Sequence, residues 1–276
     1  MKYKRSQRLI DMTQYLINHP YKLTPLTDFV ERYQSAKSSI SEDLGIIKSQ
    51  FLQSDLGLIE TVAGVSGGVR FIPKMSKQVA YNHIQNLCDY LKNPERMLPG
   101  GYFYLTDIIG NPTYLRLIGQ VIATRFADQE VDAIMTVATK GVPLAQMAAL
   151  YLNVPFVMVR RDSKVTEGST VSINYATKGN PRVEKMELTK SSLAEHSKVL
   201  LIDDFMNGGG TISGMLAMLK EFNSECVGVS VLCEVHQENH EMDFPIDSLM
   251  RLEKSADNTE IVELAPGSIL AHMSDD

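Results

Sequence analysis

Residues Val199 to Thr211 read Val-Leu-Leu-Ile-Asp-Asp-Phe-Met-Asn-Gly-Gly-Gly-Thr, and this run decides the fold class. Its four aliphatic residues make a strand buried on both faces, as in a parallel sheet. Two carboxylates, Asp203 and Asp204, stand where that strand is expected to end. Gly208, Gly209, Gly210 and Thr211 then lead into an apolar-periodic helix over Ile212–Phe222. Ligands of open α/β sheets sit at the carboxyl ends of the strands. A glycine-rich turn at a helix N-terminus offers backbone N–H groups to a phosphate. The acidic pair has the wrong charge for phosphate, but suits ribose hydroxyls or a metal bridging to them. Together these residues describe a site for a sugar phosphate. No Gly-Lys-Ser/Thr follows the glycines, which excludes a Walker-type loop.

Outward from this run the chain alternates strand and helix. Val131–Ala138 is expected as a strand, Thr139-Lys140-Gly141 as a tight turn and Val142–Leu152 as a helix. Val154–Arg160 reads as a second strand, Thr170–Ala176 and Arg182–Leu188 as β-rich segments, and Val227–Val235 as the last strand. Such alternation predicts an α/β fold, a parallel sheet flanked by helices. Upstream, Ser76 opens a helix to about Asn93 with Val79, His83, Leu87 and Leu91 on one side, and another runs from Thr113 to Phe126. His83 reads there as a core or interface residue.

The N-terminal quarter differs in charge and pattern. Residues 1–75 hold ten Lys/Arg against seven Asp/Glu, a balance of +3, within a chain of net charge −6, so the remainder carries −9. That asymmetry suggests a nucleic-acid-facing end on an acidic body. Residues 6–18 are apolar at Leu9, Ile10, Met12, Leu16 and Ile17 and form a helix ended by His19-Pro20. Thr24 before Pro25 reads as the N-cap of a second helix, through about Tyr33. Ser35 is expected to cap a third, with Ile40, Leu44, Ile47 and Phe51 on its buried face. Its opposite face shows Lys37, Ser38, Ser41 and Lys48, with Ser39 beside them. Leu58–Ala63 and Val69–Ile72 flank a glycine-rich tip and predict a β-hairpin. Three helices and a hairpin make a small winged-helix domain, in which the second helix of the helix-turn-helix enters the major groove. Lys2, Lys4, Arg5 and Arg8, with Arg70 near the wing tip, are candidates for phosphate contacts, and Lys37, Ser38, Ser39 and Ser41 for the DNA-facing helix. The expected domains are residues 1–74 for DNA binding and 75–276 for ligand binding.

The opening run resembles the phosphoribosyl pyrophosphate (PRPP) motif of the type I phosphoribosyltransferases. Ala138-Thr-Lys-Gly-Val-Pro-Leu-Ala145 resembles their pyrophosphate loop, and Val157-Met-Val-Arg-Arg-Asp-Ser-Lys164 the strand and basic turn before their flexible loop. The resemblance implies a PRPP site built from Asp203, Asp204, Phe205, Met206, Asn207, Gly208, Gly209, Gly210 and Thr211, joined by Thr139, Lys140, Gly141, Arg160 and Lys164. Departures from the enzymes lie in the flexible loop, Val165–Tyr175, and at Asn207-Gly208, where many of them have Ala-Thr or Ala-Arg.

A PRPP site behind a winged helix is the arrangement of the Gram-positive-type purine operon regulators. The chain resembles them at Ala36-Lys-Ser-Ser-Ile-Ser-Glu-Asp43, Leu98-Pro-Gly-Gly-Tyr102, Lys164–Tyr175 and Asp203-Asp-Phe-Met206. The resemblance implies a homodimeric, cytoplasmic regulator of purine synthesis genes, more often repressor than activator, that binds operator DNA and senses PRPP, with Mg admissible beside it. It implies no catalytic residue and no required cofactor. Guanosine tetraphosphate is expected to compete for the pocket, with Tyr102 and Phe205 able to stack on its base. The alternative is an active purine phosphoribosyltransferase with an N-terminal oligomerisation module.

The rest of the sequence adds little. Cys88, Cys226 and Cys233 are odd in number without metal-ligand spacing, which predicts reduced, buried thiols. His236 and His240 lack the His-Glu-x-x-His order of zinc proteases and read as a surface pair, so no metal site is expected. No 18-residue apolar run is present, and the basic, polar start does not resemble a signal peptide.

Overall fold

The computed structural model describes residues 3–64, 66–98, 102–161, 168–176, 183–235, 244–254 and 261–274. Its first part is three helices and a hairpin: α1 (Arg5–Asn18), α2 (Leu26–Tyr33), α3 (Lys37–Gln53), β1 (Leu58–Val62) and β2 (Gly68–Ile72). Ile40, Leu44, Ile47 and Phe51 turn one face of α3 inward onto Met12 and Leu16 of α1 and Phe29 and Tyr33 of α2. Two expected caps are absent. Pro25, not Thr24, precedes the first turn of α2, and no side chain caps it. Thr24 exchanges both backbone hydrogen bonds with Val69, at 2.9 Å each, and adds an isolated antiparallel bridge to the free edge of β2. Its extended backbone belongs to that pairing, which overrides the local Thr-Pro capping signal. Ala36, not Ser35, caps α3, while the Ser35 hydroxyl donates to Tyr33 O.

The second part is built on a six-stranded sheet. Its strands are β5 (Ala133–Val137), β6 (Phe156–Val159), β9 (Lys198–Met206), β10 (Glu225–Val235), β11 (Ile246–Lys254) and β12 (Ile261–Pro266). Their order is β12-β11-β10-β9-β5-β6. All neighbours are parallel except β11 and β12. The sheet therefore continues past Val235, the expected last strand. β11 alternates apolar and charged residues and β12 is a short edge strand, so neither shows the unbroken aliphatic run that marked β9. β9 also outlasts its aliphatic run: Asp203 pairs with Val231 and Met206 with Glu234.

α4 (Lys77–Leu91), α6 (Pro112–Arg125) and α7 (Gly141–Leu152) contribute to the core on one side of the sheet, and α8 (Gly210–Glu221) to that on the other. The buried stripe of α4 is Ala80, Ile84, Leu87, Cys88 and Leu91. Val79 and His83, expected on that stripe, are half-buried at its flank, because steps of four drift off a 3.6-residue turn. Between α4 and α6 run β3 (Met97–Leu98), β4 (Tyr102–Phe103) and the one-turn α5 (Thr106–Ile109). The β-rich segments form a separate antiparallel hairpin, β7 (Thr170–Ala176) with β8 (Val183–Thr189), whose Tyr175 and Met186 share the core of α8. Cys88 and Cys233 are buried free thiols, whereas Cys226 is only half-buried. Among the described residues no helix is long and apolar enough to cross a membrane.

The two parts meet at a hydrogen-bonded junction. Asp55, just past the end of α3, accepts from Ser76 N–H (3.0 Å) and from the Ser76 hydroxyl (2.8 Å). Ser76 is itself the N-cap of α4. The buried Met75 N–H donates to Thr124 Oγ1 of α6 at 3.1 Å, and that hydroxyl donates onward to Gln120 O. Tyr21 of the first part packs against the core of the second. Removing one partner of a buried hydrogen bond costs about 1–3 kcal/mol. Thr124→Val, nearly equal in shape, is expected to lower urea-unfolding stability by about that amount, and Thr124→Ser to retain most of it.

Candidate functional site

The chain order of the sheet reverses between β5 and β9: from β5 it proceeds outward to β6, and from β9 to β10 and β11. A crevice outside the carboxyl ends of the strands forms at such a switch point. The turn after β5 carries Thr139, Lys140 and Gly141, and the end of β9 carries Asp203 and Asp204. The fold therefore brings together two segments about sixty residues apart in sequence.

Their contact is tight. A Cβ on Gly141 would lie 2.4 Å from Thr136 Oγ1 and 3.3 Å from Asp203 Oδ1. Only a residue without a side chain fits there, because a Cβ would collide with Thr136 while pressing on Asp203. Gly208 and Gly209 have positive φ, 86° and 68°, and Gly209 is the N-cap of α8 with no capping side chain. The first turn of α8 carries no acidic residue, so its N-terminal N–H groups and positive dipole end favour an anion. A glycine-lined anion seat thus stands immediately after a carboxylate pair, as a ribose joined to a phosphate requires.

Asp203 is buried, and its Oδ1 accepts from Asp204 N–H at 2.9 Å. Burial first, and the neighbouring Asp204 charge second, push the Asp203 carboxyl up to about 8. Burial also raises Asp204, against the opposing charge of Lys140. Hydroxyls or a cation arriving at this pair would replace water that the fold has removed.

The predicted residues do not all face this crevice. Thr139 and Lys140 are exposed and Thr211 is half-buried. Met206 is buried in the core shared with α8, so its side chain serves packing. Phe205 is half-buried against the opposite core. Arg160 exchanges backbone hydrogen bonds with Glu187 of β8. The next residue, Arg161, was not foreseen. Its charge acts on Asp203, and its guanidinium lies 3.4 Å from Glu184, which also accepts from the Tyr175 hydroxyl at 2.6 Å. Two-residue alternation places Arg161 with Val157 and Val159, a signal legible in the sequence but outweighed by the Arg-Arg ambiguity. Lys164 and the side chain of Tyr102 lie outside the described residues, as do Lys2, His236 and His240. No group of three or more metal-ligating side chains occurs among the described residues.

On the winged helix, Lys37, Ser38 and Ser41 are exposed, Ser39 is half-buried and Lys4 is exposed. Arg70 pairs with Glu60 across the hairpin. Arg8, expected among the phosphate contacts, is turned inward: its side chain is 12% exposed and binds Asp43 at 2.8 Å. It holds α1 to α3 instead of reaching solvent.

Comparison with known proteins agrees with this two-part architecture. Residues 4–73 match the family described as "Bacterial purine repressor, N-terminal", and residues 107–265 match the "Phosphoribosyl transferase domain". The purine biosynthesis transcriptional repressor PurR of Bacillus subtilis is 51% identical over 275 residues, covering 100% of this chain and 96% of that protein. The purine biosynthesis transcriptional activator PurR of Lactococcus lactis is 48% identical over 231 residues, covering 84% of this chain and 85% of that protein. Crystalline adenine phosphoribosyltransferase from Thermoanaerobacter pseudethanolicus shares the fold, with a TM-score of 0.54 at 19% identity over 61% of this chain and 99% of that one.

The acidic pair makes stability pH-dependent in the ligand-free chain. Folded Asp203 holds a proton that an unfolded aspartate, with an ordinary value of 3.8, has released. Stability therefore falls as pH rises from about 4 to about 8 and levels off above. Asp203→Asn is expected to melt with the native chain near pH 4 and above it near pH 8, by calorimetry. A constant gap across that range would contradict the burial-driven shift.

Proposed function

The chain belongs to the bacterial purine biosynthesis transcriptional regulators, and we propose that within this family it couples operator binding to the PRPP level. The winged helix would hold DNA and the pocket at the β5/β9 switch point would hold PRPP, with no turnover. The observation that carries this reading is the pairing of the buried Asp203-Asp204 with the glycine-capped N-terminus of α8. That pair suits the ribose diol, directly or through Mg. The α8 N-terminus suits the 5′-phosphate, and Lys140 with the Gly141 turn suits the diphosphate. Guanosine tetraphosphate, also polyanionic and built on a ribose, fits the same donor set and is proposed as a competitor.

A repressor is favoured over an activator by the longer and closer match to the Bacillus subtilis protein, the Lactococcus lactis relative bearing the other sign. A homodimer offers two winged helices to two half-sites, as dimeric helix-turn-helix proteins do. PRPP changes DNA affinity only by binding the DNA-bound and free forms unequally. The Asp55–Ser76 and Met75–Thr124 bonds favour a shift in how the winged helices are carried over a free hinge.

Fluorescence anisotropy of a purine-promoter duplex with the full chain, with and without PRPP and Mg, tests the coupling. Operator affinity is expected to fall on adding PRPP, and indifference to saturating PRPP would refute it. Asp204→Ala is expected to weaken PRPP binding about 10- to 100-fold in titration calorimetry, the scale of a lost charged hydrogen bond. Nucleotide and pyrophosphate made from PRPP and a purine base at enzyme-like rates would instead support the active transferase.

A further inference from the structure

Asp43 is an anomaly on α3: a buried carboxylate beside the exposed Lys37, Ser38 and Ser41, with Glu42 exposed next to it. It lies on α3, six residues after Lys37, and its side chain is 1% exposed. Both of its oxygens are engaged by α1. Arg5 Nε donates to Oδ1 and Arg8 Nε donates to Oδ2, each at 2.9 Å. The two arginines then diverge in environment: the Arg8 side chain is 12% exposed and that of Arg5 is 55%.

Arg8 neutralises Asp43 inside the protein. Arg5 is gripped at Nε, which fixes the plane of its guanidinium and leaves the forked Nη end toward solvent beside the first turns of α3. Among the described residues the acid that approaches that end is Glu42, itself 70% exposed, at 3.6 Å. Such a water-exposed, imperfect pair contributes little. A phosphate accepts bidentate bonds from a pre-oriented guanidinium better than from a free one, because less freedom is lost on binding. The N-terminus of α3 next to it has no capping side chain and no acid in its first turn.

We infer that Asp43 is a positioning residue for operator binding, holding Arg5 in one orientation so that its outer edge clamps a backbone phosphate in place of Glu42. The inference rests on the DNA-binding reading above and assigns a buried carboxylate to the strength of a contact it never makes itself.

The test uses the full chain and a labelled purine-promoter duplex, with affinity measured across a salt series. Each phosphate contact contributes about 0.9 to the slope of log affinity against log salt. Arg5→Gln is expected to weaken binding about tenfold and to flatten that slope by about 0.9. Arg5→Lys keeps the charge but not the Nε tether, and is expected to lose affinity nearly as Arg5→Gln does. Asp43→Asn should flatten the slope equally, and the Arg5→Gln/Asp43→Asn double variant should bind no worse than the weaker single.

Native affinity in Arg5→Lys, or additive losses in the double variant, overturns the positioning role. Should Asp43→Asn fail to fold, the two Arg5 variants decide, since they leave the Asp43–Arg8 pair intact. No operator binding by the native chain would remove the DNA-binding reading and this inference with it. Steep salt dependence untouched by Arg5→Gln removes this inference alone.

Discussion

The constraint on which the crevice depends is the close packing of the Gly141 backbone on Thr136 of β5 and Asp203 of β9, where an added Cβ would collide with the Thr136 hydroxyl and crowd the Asp203 carboxyl. It forces β5 and β9 to end side by side, and so requires the parallel pairing Ala133↔Val199 through Met135↔Leu201. Both strands are buried on both faces, which explains why Ala133–Met135 and Val199–Ile202 are continuous apolar runs. α7 and α8 then start on opposite sides of the sheet after these neighbouring strands, α7 with its first residue against Asp203 and α8 a few residues after the acidic pair in sequence. The same crowding desolvates Asp203 and raises its proton affinity. Hydroxyls or a cation placed against such a desolvated acidic pair would replace the hydration that burial removes.

The second constraint is the junction between the parts. The end of α3 is fastened to the N-cap of α4 through Asp55, and the segment between hairpin and α4 is fastened to α6 through Met75. α6 lies in turn against α7, whose first turn lines the crevice. A cleft of about 300 Å³ beside Asp55, lined by Phe51, Leu58 and Lys74, leaves room for the end of α3 to shift without overpacking. α3 of the winged helix and α7 at the crevice are thus linked by packed and hydrogen-bonded elements, a contiguous route through which one could bias the other.

The sequence was most legible where local and tertiary demands agree. The Val199–Thr211 run states strand, turn and helix in one line. The Ile40–Phe51 stripe states the inward face of α3. It was least legible where a partner distant in sequence decides. Thr24-Pro25 reads as a cap until Val69 arrives to pair with it, and Arg8 reads as a free cation until Asp43 arrives to bury it. β11 and β12 escaped for a related reason: an edge hairpin partly open to solvent mixes Glu, Arg and Lys into its strands and loses the aliphatic signature. Arg161 escaped because parity along β6 separates it from Arg160, and parity is firm only once the strand's end is known.

Charge resolves the remaining tension between an acidic chain and a polyanionic partner. At physiological salt the screening length is about 8 Å, so the −9 of the body acts on its own neighbourhood and cannot cancel a basic face on the winged helix. The local surface of the winged helix exposes Lys4, Arg5 and Lys37, and its buried Asp43 is neutralised by Arg8. Within the body the same rule applies on a smaller scale. Lys140 and Arg161 act on an acidic pair that would otherwise repel a diphosphate, each lowering the proton affinity of one carboxylate. Both faces therefore place cations against buried aspartates. In each case the aspartate is shielded and a cation, Arg5 or Lys140, stays exposed.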